Sequence, residues 1–260
     1  MNGIVIPCYN EENRIDLEAY KEFLNSNSDY FILFVDDGSV DETKVVLSEF
    51  CSPRSNAEVI TLKKNQGKAE AVRSGIQYLL TINCQIIGFL DADLATPFSE
   101  AKRLIFELER NDKLLMVMGS RLNNILGGNI HRSFFRKISS FILSLLFKMA
   151  TNIIARDTQC GAKFFKSEEL GFVFTDPFLT KWLFDIEILH RINASSYDLY
   201  TECREIPIYY WRDMGDSKIG WRDIILIMRE LNVIRKNYNN GINSLFTNII
   251  TFVLLISTDL

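Results

Sequence analysis

Asp91 and Asp93 stand one residue apart, directly after the apolar run 86–90. Two carboxylates at i and i+2 past a strand can hold one hard divalent cation. Mg²⁺ takes few protein carboxylates and fills its shell with water and substrate phosphate oxygens. Bridged to a diphosphate, such an ion neutralises charge developing on a leaving group. Alone, this common pair of aspartates reads more readily as a solvated acidic turn. Its neighbours argue for function, because four other apolar runs also end in polar residues: Pro7-Cys8-Tyr9-Asn10-Glu11-Glu12, Asp36-Asp37-Gly38-Ser39, Asn65-Gln66-Gly67-Lys68 and Gly119-Ser120-Arg121. Ligands of an open parallel sheet bind beyond the carboxyl ends of its strands, so these five ends should share one cleft. Asp37 can accept from a base N–H or a ribose hydroxyl, or cap a helix. Lys68 either lines the cleft or lies on a helix surface.

The elements that must position these groups are short apolar runs alternating with longer amphipathic ones. Strands are expected at 3–6, 31–35, 58–62, 86–90 and 115–118, and helices at 12–25, 41–50, 68–80 and 97–110. This alternation predicts an α/β fold, a mostly parallel sheet with helices on both faces. Pro97 just inside a helix start and the capping groups of 39–42 mark two boundaries. Beyond residue 120 the pattern changes to a Gly127-Gly128 loop, an apolar helix 133–150, strand-like pieces at 162–165 and 205–210, and helices 181–192 and 221–238. The reading is one domain over 1–240, with a nucleotide-binding half (1–120), an acceptor-binding half (121–240) and an apolar tail (241–260).

The 260 residues are 47% hydrophobic and 24% charged, and 29 basic against 33 acidic side chains give a net charge of −4. Disorder and fibrous classes are excluded by this composition, and nucleic acid is not an expected partner of an acidic chain. Five scattered cysteines without a CxxC pair, and two histidines, give no zinc pattern and suggest a reducing compartment. No signal peptide is read at the N-terminus. A dinucleotide fingerprint and a P-loop are both absent, since PCYNEE follows the first strand and NQGKAE the third.

Taken together, VIPCYNEENR, FVDDGSVDET, NQGKAEAVRSGI, FLDADLATP and GSR resemble glycosyltransferase family 2, with its Rossmann-like GT-A fold. RSFFRKISSFI, RDTQCGAKFF, KWLFDIEIL and Gly215-Asp216-Ser217-Lys218 narrow the resemblance to the dolichyl-phosphate β-glucosyltransferases and bacterial polyprenyl-phosphate relatives. The resemblance implies a nucleotide-sugar donor, with Pro7, Tyr9, Asn10 and Glu11 lining its pocket and Asp37 against base or ribose. It implies Mg²⁺ or Mn²⁺ on Asp93, with Asp91 nearer the ribose or phosphate, Arg121 on a phosphate and Lys218 on the diphosphate. Ala95 stands where mannosyl relatives carry a Gln metal ligand, so water or another group would complete the shell. UDP-glucose is the donor the resemblance favours, with GDP-mannose the alternative, and cell-envelope glycan synthesis is a use.

A polyprenyl phosphate is already anionic at pH 7, so cations to position it matter more than a base. Arg121, Arg132 and Arg136 are the expected acceptor contacts, by virtue of the guanidinium fork. Asp157 is a candidate to orient that phosphate or act as a base, against a structural pairing with Arg156 or a turn. Asp185 is the other carboxylate near the acceptor, and Glu187, two residues on, should face elsewhere. Inverting attack would turn an α-linked sugar nucleotide into a β-linked lipid phosphate. A glycan or other hydroxyl acceptor, and a catalytically silent membrane adaptor, are the competing readings. The helix 134–150 has an apolar stripe flanked by Arg132, Arg136, Lys137 and Lys148, which suits a bilayer interface or a core or dimer contact. With the tail 242–256 as a second anchor or an oligomer contact, the expected location is the cytoplasmic face of a membrane.

Overall fold

The computed structural model describes residues 1–121, 129–130, 155, 157–212 and 221–238. The expected interfacial helix, the apolar tail, Arg132, Arg136 and Lys218 lie outside the described residues. The strands are β1 (Asn2–Cys8), β2 (Tyr30–Asp36), β3 (Ala57–Thr61), β4 (Ile86–Phe89), β5 (Met116–Ser120), β6 (Asn129–Ile130), β7 (Lys163–Lys166), β8 (Cys203–Pro207) and β9 (Tyr210–Trp211). Seven form one sheet in the order β3-β2-β1-β4-β7-β5-β8, and β6 pairs with β9 apart from it. All neighbours in the large sheet are parallel except around β7, which runs antiparallel to both β4 and β5. The sheet is therefore mostly parallel, as its sequence pattern predicts. β7 places Lys163 opposite Phe89 at the end of β4.

The longer helices are α1 (Leu17–Ser26), α2 (Thr43–Cys51), α3 (Lys68–Thr81), α4 (Phe98–Glu109), α5 (Phe184–Asn193) and α6 (Trp221–Tyr238). Both faces of the central strands are covered, so those strands are apolar at every position rather than alternating. Ile4, Ile6, Ile32 and Phe34 pack with Tyr20, Phe23, Leu47, Leu104 and Leu108 of α1, α2 and α4. Val5, Leu33 and Val35 point the other way, onto Val72, Ile76 and Leu79 of α3 and the cluster containing Phe184 and Ile188 of α5. Among the described residues no helix is long and apolar enough to cross a membrane.

α1 starts at Leu17 rather than residue 12. Asp16 caps it, accepting the Ala19 N–H at 3.2 Å. Residues 10–12 are held by the loop after β2 instead, as described below. The buried carboxylate of Glu187 ties α5 down by accepting the Leu179 and Thr180 N–H groups, Arg191 Nη2 and the Tyr238 hydroxyl. His190 lies beside it in the core, stacked on Tyr238 with ring centroids 5.3 Å apart. Burial pushes the His190 imidazole down to about 4.

An unfolded histidine titrates near 6.5. Below that pH the unfolded chain takes a proton that folded His190 refuses until about pH 4. Stability should therefore be highest above pH 6.5 and fall as pH drops towards 4, by about 3 kcal/mol in total from this group. Urea melts at pH 7 and pH 4.5 check this, and His190→Phe should flatten that part of the profile.

Candidate active site

Two loops at the carboxyl edge of the sheet are stitched to each other. Asn10, at φ 55°, donates its N–H to Ser39 Oγ (3.0 Å) and accepts the Val40 N–H on Oδ1 (3.0 Å). The Glu11 N–H reaches Thr43 Oγ1 at 2.8 Å, and the Glu42 N–H reaches Glu12 Oε2 at 2.5 Å. These bonds consume the residues that a longer α1 would have used. Asn10 thus braces the loop, while Pro7, Cys8, Tyr9 and Glu11 line a cleft of about 320 Å³ together with Asp37, Asn65, Gly67, Lys68, Asp91 and Asp93. Four of the five strand-end segments meet here. Glu11 Oε2 is buried without a hydrogen-bond partner, with Arg14 Nε 3.7 Å away. Burial raises the proton affinity of Glu11, Arg14 opposes this, and the charge on Asp93 adds to the rise.

Asp37 is buried and accepts the Gln66 and Gly67 N–H groups at 2.8 and 2.7 Å. It organises the 65–67 turn as well as lining the cleft. A carboxylate has about four acceptor positions, so two remain for a ligand. Burial raises its proton affinity, and the two N–H bonds work against the rise.

The Asp91–Asp93 turn is fixed from three sides. From below, the buried Tyr20 hydroxyl donates to the Ala92 carbonyl at 3.0 Å. Within the turn, Leu94 takes a left-handed φ of 49° and returns its N–H to the Asp91 carbonyl. Asp93 Oδ1 accepts the Ala95 N–H at 2.9 Å. From the side, Lys68 Nζ hydrogen-bonds Asp91 Oδ1. On the opposite wall a Cβ added at Gly161 would lie 1.9 Å from Asp91 Oδ2, so only glycine lets this carboxylate sit where it does. Burial pushes the two carboxyls up alike, but Lys68, Lys163 and Arg121 hold Asp91 below the usual range, whereas Asp93, burdened also by the charge of Asp91, is raised.

Arg121 is locked by Asp157. The Arg121 N–H and Nε donate to Oδ2 (both 2.8 Å) and Nη2 to Oδ1 (2.7 Å), while the Trp211 ring lies 5.6 Å from the guanidinium carbon. Asp157 sets both oxygens on Arg121; Arg156, its expected structural partner, lies outside the described residues. Its own N–H donates to Glu205 Oε1 at 2.7 Å. A second pair lies deeper. Lys163, fully buried, sets Nζ 2.6 Å from Asp185 Oδ1 and 2.6 Å from the Cys160 carbonyl. Glu187, as its spacing from Asp185 predicts, faces away into its own set of bonds. Gly161, Lys163 and Tyr20 were not singled out by the sequence reading. Gly161 and Lys163 both lie within RDTQCGAKFF, a string that carries the resemblance without giving either residue a role.

A hard cation fits this site. The available donors are carboxylate oxygens on one cleft wall. Among the described residues no group of three or more His, Cys, Asp or Glu side chains forms a closed cage. Two carboxylates completed by water and phosphate oxygens are what Mg²⁺ or Mn²⁺ accepts.

The profile of glycosyl transferase family 2 matches residues 3–169. The chain belongs to glycosyl transferase family 2. It is 30% identical over 255 residues to a dolichyl-phosphate β-glucosyltransferase of Dictyostelium discoideum, covering 92% of this chain and 75% of that protein. It is 33% identical over 198 residues to another of that name from Trichomonas vaginalis, covering 72% of this chain and 60% of the relative, so it spans less than two thirds of that protein's length. Among solved structures, glucosyl-3-phosphoglycerate synthase of Mycobacterium tuberculosis superposes with a TM-score of 0.62 at 17% identity, over 93% of this chain and 82% of that one. That likeness establishes the GT-A fold for the family 2 chain. The same synthase has been solved with Mn²⁺, UDP-glucose and phosphoglyceric acid.

Two outcomes test this geometry. Gly161→Ala should keep the fold, judged by its melting curve, yet displace Asp91 and weaken any Mn²⁺ binding measured at the Asp91–Asp93 turn by about tenfold or more. Lys163→Met should cost about 3–5 kcal/mol in chemical denaturation by stranding Asp185, and Lys163→Met with Asp185→Leu should recover much of it.

Proposed function

We propose that this glycosyltransferase moves glucose from UDP-glucose onto a dolichyl or other polyprenyl phosphate, with inversion at the anomeric carbon. The observation that carries the reading is the Arg121 guanidinium, oriented by Asp157 through Nε and Nη2, with Nη1 not engaged by that pair, and near enough to act on the charge of Asp91. It offers an anion site beside the donor cleft in a chain whose relatives are named for dolichyl phosphate. The base that a hydroxyl acceptor needs is not offered by His190, which is buried and held neutral by burial at physiological pH.

Asp93, with Asp91, would hold Mg²⁺ or Mn²⁺. Bound there, the ion would supply charge neutralisation to the leaving diphosphate. Lys68, already directed into the cleft by Asp91, is placed to donate to a donor phosphate. Pro7, Tyr9, Glu11 and Asp37 would enclose the nucleoside. Arg121 would hold the acceptor phosphate for in-line attack. One acceptor oxygen forms a bond to the anomeric carbon, the bond from that carbon to the β-phosphate oxygen breaks, and UDP departs with the electron pair. The acceptor phosphate is already ionised, so no proton need be removed at that step.

Lys218 on the diphosphate and Arg132 and Arg136 on the acceptor complete the reading from the sequence, as does peripheral attachment through 134–150 and 242–256. The placement of β7 between β4 and β5, and of β8 at the edge beside β5, supports a single domain over 1–240.

Radiolabelled sugar transfer to a short polyprenyl phosphate, with a panel of UDP- and GDP-sugars, tests the proposal. Glucose should enter the lipid phase from UDP-glucose alone, be lost with EDTA, and fall at least about a hundredfold in Asp93→Ala. Transfer from GDP-mannose would overturn the donor assignment, and transfer only to a glycan would overturn the acceptor.

A further inference from the structure

The segment that follows β8 is fixed by hydrogen bonds along its length. Pro207 pairs with Ser120, and the Ile208 N–H continues that pairing onto the Ser120 carbonyl at 3.0 Å. The next two N–H groups, of Tyr209 and Tyr210, both donate to Glu100 Oε1, at 3.0 and 3.1 Å. Glu100 is 2% exposed, and its other oxygen is held by Arg103. Arg103 in turn donates to the Pro207 carbonyl and lies over the Tyr209 ring, 4.5 Å from its centroid. The Arg212 N–H reaches the Ala95 carbonyl at 2.9 Å, just past the Asp91–Asp93 turn. Trp211 therefore sits on a strap anchored on both sides, running from the residue before Arg121 to the end of the aspartate turn. Its ring, partly exposed, stands 5.6 Å from the Arg121 guanidinium carbon. The cation and the ring hold each other, which keeps an apolar surface in fixed relation to a positive charge. Such a pair matches an anion joined directly to hydrocarbon. A hydrophilic phosphate ester would satisfy the arginine but set a further charge or hydroxyl against the ring, where it loses water for no partner.

We propose that Trp211 is a specificity residue for the acceptor, its ring packing on the first isoprene unit of a prenyl phosphate whose phosphate lies on Arg121. The inference rests on the reading of Arg121 as the acceptor-phosphate group and adds what that site selects. Arg121 supplies attraction to any phosphate monoester. Trp211 supplies the preference for one that carries hydrocarbon beside the anion, since burying that hydrocarbon against the ring removes it from water. The two contributions are separable. Asp157 holds Nε and Nη2 of Arg121 without help from the ring, so the anion contact survives loss of the indole.

Geranyl phosphate and methyl phosphate share the anion and differ in hydrocarbon, so their dissociation constants by calorimetry on the full chain separate the two contacts. The wild-type chain should prefer geranyl phosphate by at least about thirtyfold. Trp211→Ala should cut that preference about tenfold and change methyl phosphate by less than about twofold, while Trp211→Phe keeps most of the preference. Melting curves check the fold, and Trp211→Gln, which fills more of the same space, should lose the preference as alanine does. Arg121→Gln, whose amide can still donate to Asp157, should weaken both phosphates alike, by about tenfold or more, and keep their ratio. An unchanged ratio in Trp211→Ala and Trp211→Gln would overturn the proposal, as would equal wild-type affinity for the two phosphates, with the reading of Arg121 left standing. Unchanged affinity for both phosphates in Arg121→Gln would overturn that reading and the proposal with it.

Discussion

The site depends on keeping one carboxylate, Asp91, ionised at the end of β4, where it lines the cleft with its side chain 40% exposed. Partial burial beside other acidic groups favours uptake of a proton unless cations oppose it. Three cations act on Asp91: Lys68 by direct contact, then Lys163 and Arg121. Each of the latter two has its own carboxylate, Asp185 and Asp157. The result is three ion pairs arranged round a strand end, close to neutral as a group. For Asp93, two residues on, burial and the charge of Asp91 outweigh the Ala95 N–H, Lys68 and Arg14, and its proton affinity rises. Two identical side chains are thereby given different characters by their surroundings, as catalytic carboxylates commonly are.

This constraint explains the irregular part of the sheet. A purely parallel sheet would have β5 beside β4. Instead β7 is inserted antiparallel between them. Its entry carries Gly161, whose missing side chain makes room for Asp91, and its first residue, Lys163, brings a buried ammonium alongside Phe89. The opposite wall depends on hydrogen bonds between loops. The β1 and β2 loops exchange backbone and side-chain bonds, and Asp37 fastens the 65–67 turn to the end of β2. Loops held this way lose little entropy when a ligand arrives, which favours binding.

The regular elements were legible because burial on both faces writes itself into composition. Runs such as IVIP and FILFV cannot be surface strands, and the helices between them show clear apolar stripes. The convergence of strand ends was legible for the same topological reason. What sequence could not give was partnership at a distance. Arg121 and Asp157 are 36 residues apart, Lys163 and Asp185 are 22 apart, and nothing local distinguishes these charges from solvated ones. The start of α1 was misplaced because Glu11 and Glu12 favour helix by propensity, yet their backbone and side chains are recruited by the β2 loop, a tertiary competition invisible to periodicity. Asn10 shows the converse, a motif residue whose position suggests ligand contact and whose observed bonds are to the neighbouring loop.

The same charge arrangement bears on why an anionic acceptor suits this fold. In the proposed reaction no net charge is created. A phosphate ester carrying about −1.5 to −2 gives up part of its charge on forming the new bond, and the departing diphosphate gains it. In that reaction charge moves across the cleft, so cations are needed at both ends of its path. The protein's own positive groups are distributed accordingly: Lys68 and Arg121 both act on Asp91, and each is paired with a carboxylate. Preorganised groups of this kind need no reorientation as the charge crosses. A neutral hydroxyl acceptor would bring no charge to transfer and would need a proton acceptor besides. Asp157, with both oxygens engaged on Arg121, is arranged to orient a cation rather than to take that proton.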